Sequence, residues 1–207
     1  MSRIKEFKYT EPDIGYKPVT AENIEAGHKD VITSPNYGKE SKIIHDVLCA
    51  FPQNTDLNTV AMKIAVIDVT NSTHLLQYKS LVSLYDLADI IVRAKDFDVR
   101  LSQGDPYLVK LIANNGKINL FSFASKYCTY HNVEIYKRDD YSIFDVVVKN
   151  VLPHYVKGLS VSRVETWRKR MDYQAFNDCI GRLLDENHID IPFRRRKIDH
   201  FLWYQNR

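Results

Sequence analysis

The chain has 207 residues, 44% of them apolar and 27% charged, with 29 Lys and Arg against 26 Asp and Glu for a net charge of +3. That length supports one substantial core or two small lobes, and the composition is that of a folded domain rather than a disordered or fibrous chain. No run of 18 apolar residues occurs and the start, Met1-Ser-Arg-Ile-Lys-Glu-Phe-Lys, has no signal-type apolar stretch. A membrane partner is therefore not expected, and the cytoplasm is the expected location.

The first forty residues hold Pro12, Pro18 and Pro35 with three glycines, and read as an irregular lead-in with at most a short helix around Ala21 to Ala26. From Pro52 to Gly104 neither Pro nor Gly interrupts the chain, and Val60, Ile64, Ile67 and then Leu84, Leu87, Ala88, Ile91 recur at helical spacing. Helices follow near 40–51, 56–68, 72–80, 83–95 and 105–114, with Asp56 as an N-cap and Gly116 as a helix end. Beyond them come 119–131, 141–152, 162–187 and 194–204, punctuated by Pro153, Gly158 and Asn187 to Pro192. No segment keeps a two-residue alternation, so the fold class is all-α, with a segment 1–40 leading into a helical domain 41–207 of two lobes.

Cys49, Cys128 and Cys179 are odd in number and far apart, which fits reduced core residues better than disulfides, and no Cys/His spacing resembles a zinc site. Charge is unevenly placed. Residues 151–207 carry 11 Lys and Arg against 7 Asp and Glu, while residues 1–150 carry 18 against 19. A basic C-terminal quarter suits a polyanion such as nucleic acid, or is simply a solvated helix surface.

The chemistry-bearing feature is a pair. Lys126 stands early in a helix among Phe121, Phe123, Ala124, Tyr127 and Tyr130, and Asp145 stands nineteen positions later at the opening of the next helix. A lysine in such company either snorkels to water or sits in a cleft with a lowered pKa, where its neutral amine is a nucleophile. Ser142-Ile-Phe-Asp145 has the form of a capping box, a structural role compatible with stabilising a cation nearby.

The stretch 118–148 resembles the signature of the helix-hairpin-helix DNA glycosylases, and within them the 8-oxoguanine glycosylase branch: a hairpin of form L-P-G-x-G-x-K, a helix, a connector and a V-D segment. Leu120-Phe-Ser-Phe-Ala-Ser-Lys126 aligns with the hairpin and Ile143-Phe-Asp145-Val with the V-D segment, with Ser122 and Ala124 in place of the two glycines and Phe121 in place of proline. The resemblance implies that Lys126 attacks the anomeric carbon of a nucleotide flipped out of the duplex, with Asp145 supporting the oxocarbenium-like transition state. It implies a monomeric DNA glycosylase with AP lyase activity, acting on double-stranded DNA with a modified base, in repair or in defence against phage DNA. No metal or cofactor is required, and a prokaryotic member would associate with the nucleoid.

In that frame Tyr130, Phe201 and Trp203 are the aromatic surfaces for the flipped base, and Ser122 and Ala124 the hairpin contacts to a phosphate. Asn71, in the polar interruption Asp68 to Thr73, is the wedge that fills the vacated stack, or an ordinary cap. Arg163, Arg168, Lys169, Arg170, Arg194, Arg195 and Arg196 are the phosphate grips. Two other readings stay open: a non-enzymatic helical DNA-binding protein in which Lys126 contacts phosphate, and an interaction module whose basic segments meet an acidic protein.

Overall fold

The computed structural model describes residues 7–204. The charged start Met1 to Glu6 and the last three residues lie outside the described residues. Within them the chain forms eleven α-helices and one small antiparallel pairing, β1 (Lys8–Tyr9) with β2 (Val156–Lys157), in which Tyr9 lies opposite Val156. The predominantly helical expectation holds.

The first helix, α1 (Ala21–Ile32), is longer than its sequence suggests. Thr20 caps it by accepting from the Asn23 N–H, and Ile24, Gly27 and Val31 form its buried stripe. That stripe packs on α11 (Arg194–Tyr204), at the other end of the sequence. Gly27 makes the approach possible, because a Cβ there would meet the Phe201 Cα at 3.1 Å. The lead-in is thus part of the core, and its Pro and Gly residues sit around a helix rather than replacing it.

Two helices follow, α2 (Tyr37–Ala50) and α3 (Leu57–Asn71), the latter capped by Asp56, whose carboxylate accepts from the Thr59 N–H at 2.8 Å. Val60, Ile64 and Ile67 bury completely on α3, each contributing roughly 2 kcal/mol of transfer free energy. The helix expected over 72–80 is only a 3-10 turn, Leu75–Tyr78, because Ser72 and His74 take left-handed φ of 47° and 61° and break the α ladder. The buried Asp68 carboxylate holds this break closed by accepting from the Thr73 hydroxyl and, at 2.9 Å, from the Leu75 N–H.

Next come α4 (Leu84–Val92), opened by a capping box between Ser83 and Asp86, then α5 (Phe97–Ser102) and α6 (Tyr107–Ala113). The last ends before Gly116, which lies instead in a tight loop at φ 78°, closed by a bridge between Asn114 and Asn119. Asn115 Oδ1 accepts from the N–H groups of Lys117 and Ile118, and Asn119 Oδ1 from that of Phe121. The loop leads directly into α7 (Phe121–Glu134), in which eleven of the 14 residues are buried.

The C-terminal part begins with an irregular run, 141–144, and α8 (Val146–Val151). The long helix expected over 162–187 is two, α9 (Val161–Arg170) and α10 (Tyr173–Glu186), parted by Met171 at φ 53° and restarted by Asp172 accepting from Ala175. Arg195 ties this irregular run to the helices beside it, donating to Ser142 Oγ at 3.0 Å and to the Asn177 carbonyl at 2.8 Å. No helix among the described residues is long and apolar enough to cross a membrane.

Candidate functional site

A cleft of about 640 Å³ opens where α7, α8 and α11 converge. From α7 it is lined by Ser122, Lys126 and Tyr130, spaced i, i+4, i+8 on one helical face. From α11 come Arg196, Asp199, His200 and Trp203, again one face, and from the mouth of α8 come Asp145, Val146 and Val147. Asn71 to His74 form one rim, and the α1–α2 junction with Asn36, Tyr37 and Glu40 forms the other.

Lys126 is buried as a side chain and lines the cleft. It is 8% exposed, and among the described residues its ammonium makes no hydrogen bond and stands more than 4.0 Å from any carboxylate oxygen. Burial pushes its pKa down, while Asp145 and then Asp199 pull it up and Arg196 pushes it down again.

Asp145 is the N-cap of α8, accepting from the Val148 N–H at 2.7 Å. The capping box expected to begin at Ser142 is therefore not formed: Ser142 sits in the irregular run before α8, with its N–H donating to the Tyr173 hydroxyl. The helix dipole behind Asp145 fixes an anionic group at the cleft wall.

Tyr130 presents its ring to the Arg196 guanidinium, whose carbon lies 4.9 Å from the ring centroid, and its hydroxyl donates to Asn71 Oδ1 at 2.6 Å. Arg196 also donates to Asp199 Oδ2 at 2.7 Å. Asp199 is 8% exposed, and burial raises its carboxyl to about 7 against the opposing pull of Arg196. Behind it His200 stacks on His28 of α1, with the two Nδ1 atoms 2.8 Å apart, one donating and one accepting. Burial holds both imidazoles below the usual histidine range. Trp203 meets Tyr37 edge-on at 4.9 Å.

Several sequence-stated positions fall elsewhere. Phe201, expected at the base pocket, is core: it is 1% exposed and packs on Tyr155, because on α11 it lies on the face opposite Asp199 and Trp203. Ala124, expected at a phosphate, is fully buried. The hairpin aligned with 120–126 is helical from Phe121 onward, and the tight turn lies earlier, at Asn114 to Asn119. Neither Ser122 nor Ala124 has a left-handed backbone, so neither bears the strain a replaced hairpin glycine would. Ser122 nevertheless lines the cleft.

The basic residues divide. Arg194 pairs with Asp185 at 2.7 Å and Arg195 is bound internally, so only Arg196 of that run reaches the cleft. Arg168 pairs with Glu165, while Arg163, Lys169 and Arg170 are exposed on α9, outside the cleft lining. Asp199, His200, His74, Tyr37 and Asn36 were missed. For Asp199 and His200 the signal was present, since positions 196, 199, 200 and 203 fall on one helical stripe.

The chain belongs to the HI_0787_N N-terminal domain family, whose model matches residues 22–139, from α1 through α7. The matched region contains Lys126 and ends before Asp145. An uncharacterized protein of Haemophilus influenzae (strain ATCC 51907 / DSM 11121 / KW20 / Rd) is 28% identical to this chain over 145 residues, covering 67% of the chain and 64% of that protein. The chain thus spans less than two thirds of that relative's length. No solved structure matches.

Proposed function

We propose that this protein is a helix-hairpin-helix DNA glycosylase with AP lyase activity, removing a modified base from double-stranded DNA by attack of Lys126 on C1′ with Asp145 assisting. One observation carries the reading: a buried lysine amine, free of hydrogen bonds among the described residues, opens into the same cleft as a carboxylate held at a helix N-terminus. Desolvation favours the neutral amine, which is the nucleophilic form, and the anionic wall beside it favours positive charge on the sugar.

The cleft volume falls within the range of small-ligand pockets, the scale that an extruded nucleotide would need. Tyr130 and Trp203 offer aromatic faces to a base, and Asn71 and His74 stand at the rim where a displaced strand would pass. Arg163, Lys169 and Arg170, exposed on α9, are the phosphate contacts that remain available.

Borohydride reduction of the protein mixed with abasic-site duplex tests the assignment. A covalent protein–DNA adduct is expected in the wild type and none in Lys126→Gln. An undiminished adduct in the variant refutes the role of Lys126. DNA bound without any adduct or nicking favours the non-enzymatic reading, in which Lys126→Gln weakens binding evenly across sequences and lowers its salt slope.

A further inference from the structure

The reaction as stated leaves Asp199 without a part. Its Oδ2 is held by Arg196, which is held over Tyr130, which is held by Asn71. The carboxyl is thereby fixed, while its Oδ1 is buried and has no hydrogen-bond partner among the described residues. A buried oxygen left unpaired is costly, and more so when charged. The residue lines the cleft, so a ligand atom entering there is the partner the chain does not supply.

We propose that Asp199 is the acid of this cleft, giving its proton to the group that leaves as the Lys126 amine attacks. This rests on the amine chemistry assigned to Lys126 above. With a nucleoside, the Nζ–C1′ bond forms as the bond from C1′ to the base breaks; its electron pair goes to the base, which takes the Asp199 proton. The secondary ammonium at Nζ then returns a proton to the carboxylate; as the nitrogen lone pair forms the C=N bond, the C1′–O4′ bond breaks, its electron pair goes to O4′, and O4′ takes the Asp199 proton, leaving a protonated Schiff base and a carboxylate. With the aldehyde of an abasic site, the amine adds to the carbonyl and the resulting hydroxyl takes the Asp199 proton and departs as water, leaving an iminium and a carboxylate. Nothing is oxidised or reduced.

The surroundings agree. Burial raises this carboxyl to about 7, so a protonated fraction persists at neutral pH. The groups facing it are Lys126 and Tyr130 from α7, Asp145 from the head of α8, Arg196 and His200 from its own helix, and His28 from α1 behind His200. Arg196 and Lys126 favour the carboxylate and Asp145 opposes it, and desolvation outweighs their sum.

The test is the pH profile of adduct formation between the full chain and abasic-site duplex under borohydride. Attack needs a neutral amine and a protonated carboxyl together, so the wild-type rate passes through a maximum and falls on the alkaline side as the last proton leaves the pair. Asp199→Asn should be slower by about a hundredfold at the wild-type optimum and should lose the alkaline fall, keeping only a rise with pH. Unchanged affinity for the same duplex, measured without borohydride, shows that the variant is folded. A wild-type profile with no alkaline fall overturns the proposal without any variant. An Asp199→Asn profile that matches the wild type overturns it while leaving Lys126 in place, whereas no wild-type adduct at any pH sinks the glycosylase reading and this proposal together.

Discussion

Two lysines are buried among the described residues, and they are buried differently. Lys63, on α3, is fully enclosed and donates to the Phe51 carbonyl at 3.1 Å, the Gln53 carbonyl at 2.8 Å and Asn54 Oδ1 at 2.7 Å. All three ammonium hydrogens go to one loop, 51–54, and Asn54 is further fixed by the Tyr127 hydroxyl at 2.7 Å and by Asp98. Lys126 is nearly as enclosed yet donates to nothing among the described residues. Burial alone therefore does not separate the two lysines; what their donors meet does. Lys63 is a structural cross-link between α3 and a loop, and Lys126 is an amine kept available.

The sharpest way to break this comparison is to remove each amine in turn. Lys126→Gln should abolish adduct formation, a loss of at least about a thousandfold, while the protein stays as stable as the wild type or gains slightly, because a desolvated charge is removed and no acceptor is orphaned. Thermal unfolding monitored by circular dichroism beside the trapping assay reads both. Lys63→Met should do the reverse. The Phe51 and Gln53 carbonyls lose their side-chain donor and Asn54 Oδ1 keeps only the Tyr127 hydroxyl, so unfolding in urea should show a loss of about 2–4 kcal/mol, with the adduct still formed by the folded fraction. If Lys126→Gln proves the more destabilising of the two, the assignment of roles is wrong.

pH sharpens the contrast. Burial lowers the Lys63 ammonium to about 8, against a pull upward from Asp98. The folded pKa lies below the unfolded one near 10.4, so between these values the unfolded chain binds more protons, and this group's contribution to stability grows as pH rises through that window. The penalty for Lys63→Met should accordingly widen by up to ~3 kcal/mol between about pH 8 and pH 10. The mutant-to-wild-type difference is the quantity to follow, since the raised pKa values of buried Cys128 and Tyr141 lower the stability of both proteins alike at alkaline pH. A penalty that stays flat across the window would mean that the carbonyl acceptors hold Lys63 charged throughout.

The two lysines also show what a sequence discloses. Lys126, Asp145, Tyr130 and Ser122 could be grouped because one helix face and one short connector bring them together, and local periodicity reads both. Asn71, Trp203 and Arg196 reach the same cleft from 55 to 77 positions away in sequence from Lys126, and were legible only through the family resemblance. The other rim was not legible, because Asn36 and Tyr37 arrive there through the packing of α1 on α11, which depends on Gly27 fitting beneath Phe201. Phe201 itself was misplaced by its aromatic character: two positions separate it from Asp199, and on a helix two positions reverse the face. The break at Met171 carried no Gly or Pro to announce it, only the Asp172 cap. Lys63 gave no sign of its burial, since nothing local distinguishes a lysine that will meet two carbonyls from one that will meet water.

The smallest expected effect concerns the support behind Lys126. Asn71 ends α3, donates from Nδ2 to the Ile67 carbonyl at 3.0 Å and accepts the Tyr130 hydroxyl at 2.6 Å. Tyr130 in turn carries Arg196, and Arg196 carries Asp199. Replacing Asn71 with Ala leaves the Tyr130 hydroxyl without its acceptor in a partly buried position, which should cost about 1 kcal/mol in urea unfolding. Because the bond also orients the ring under Arg196, adduct formation should slow by a few-fold, and Tyr130→Phe, which removes the hydroxyl but keeps the ring, should be milder still. Combining the two substitutions distinguishes support from mere proximity: if Asn71 acts through the Tyr130 hydroxyl, Asn71→Ala made in the Tyr130→Phe background should add almost nothing, whereas additive losses would place Asn71 in direct contact with DNA.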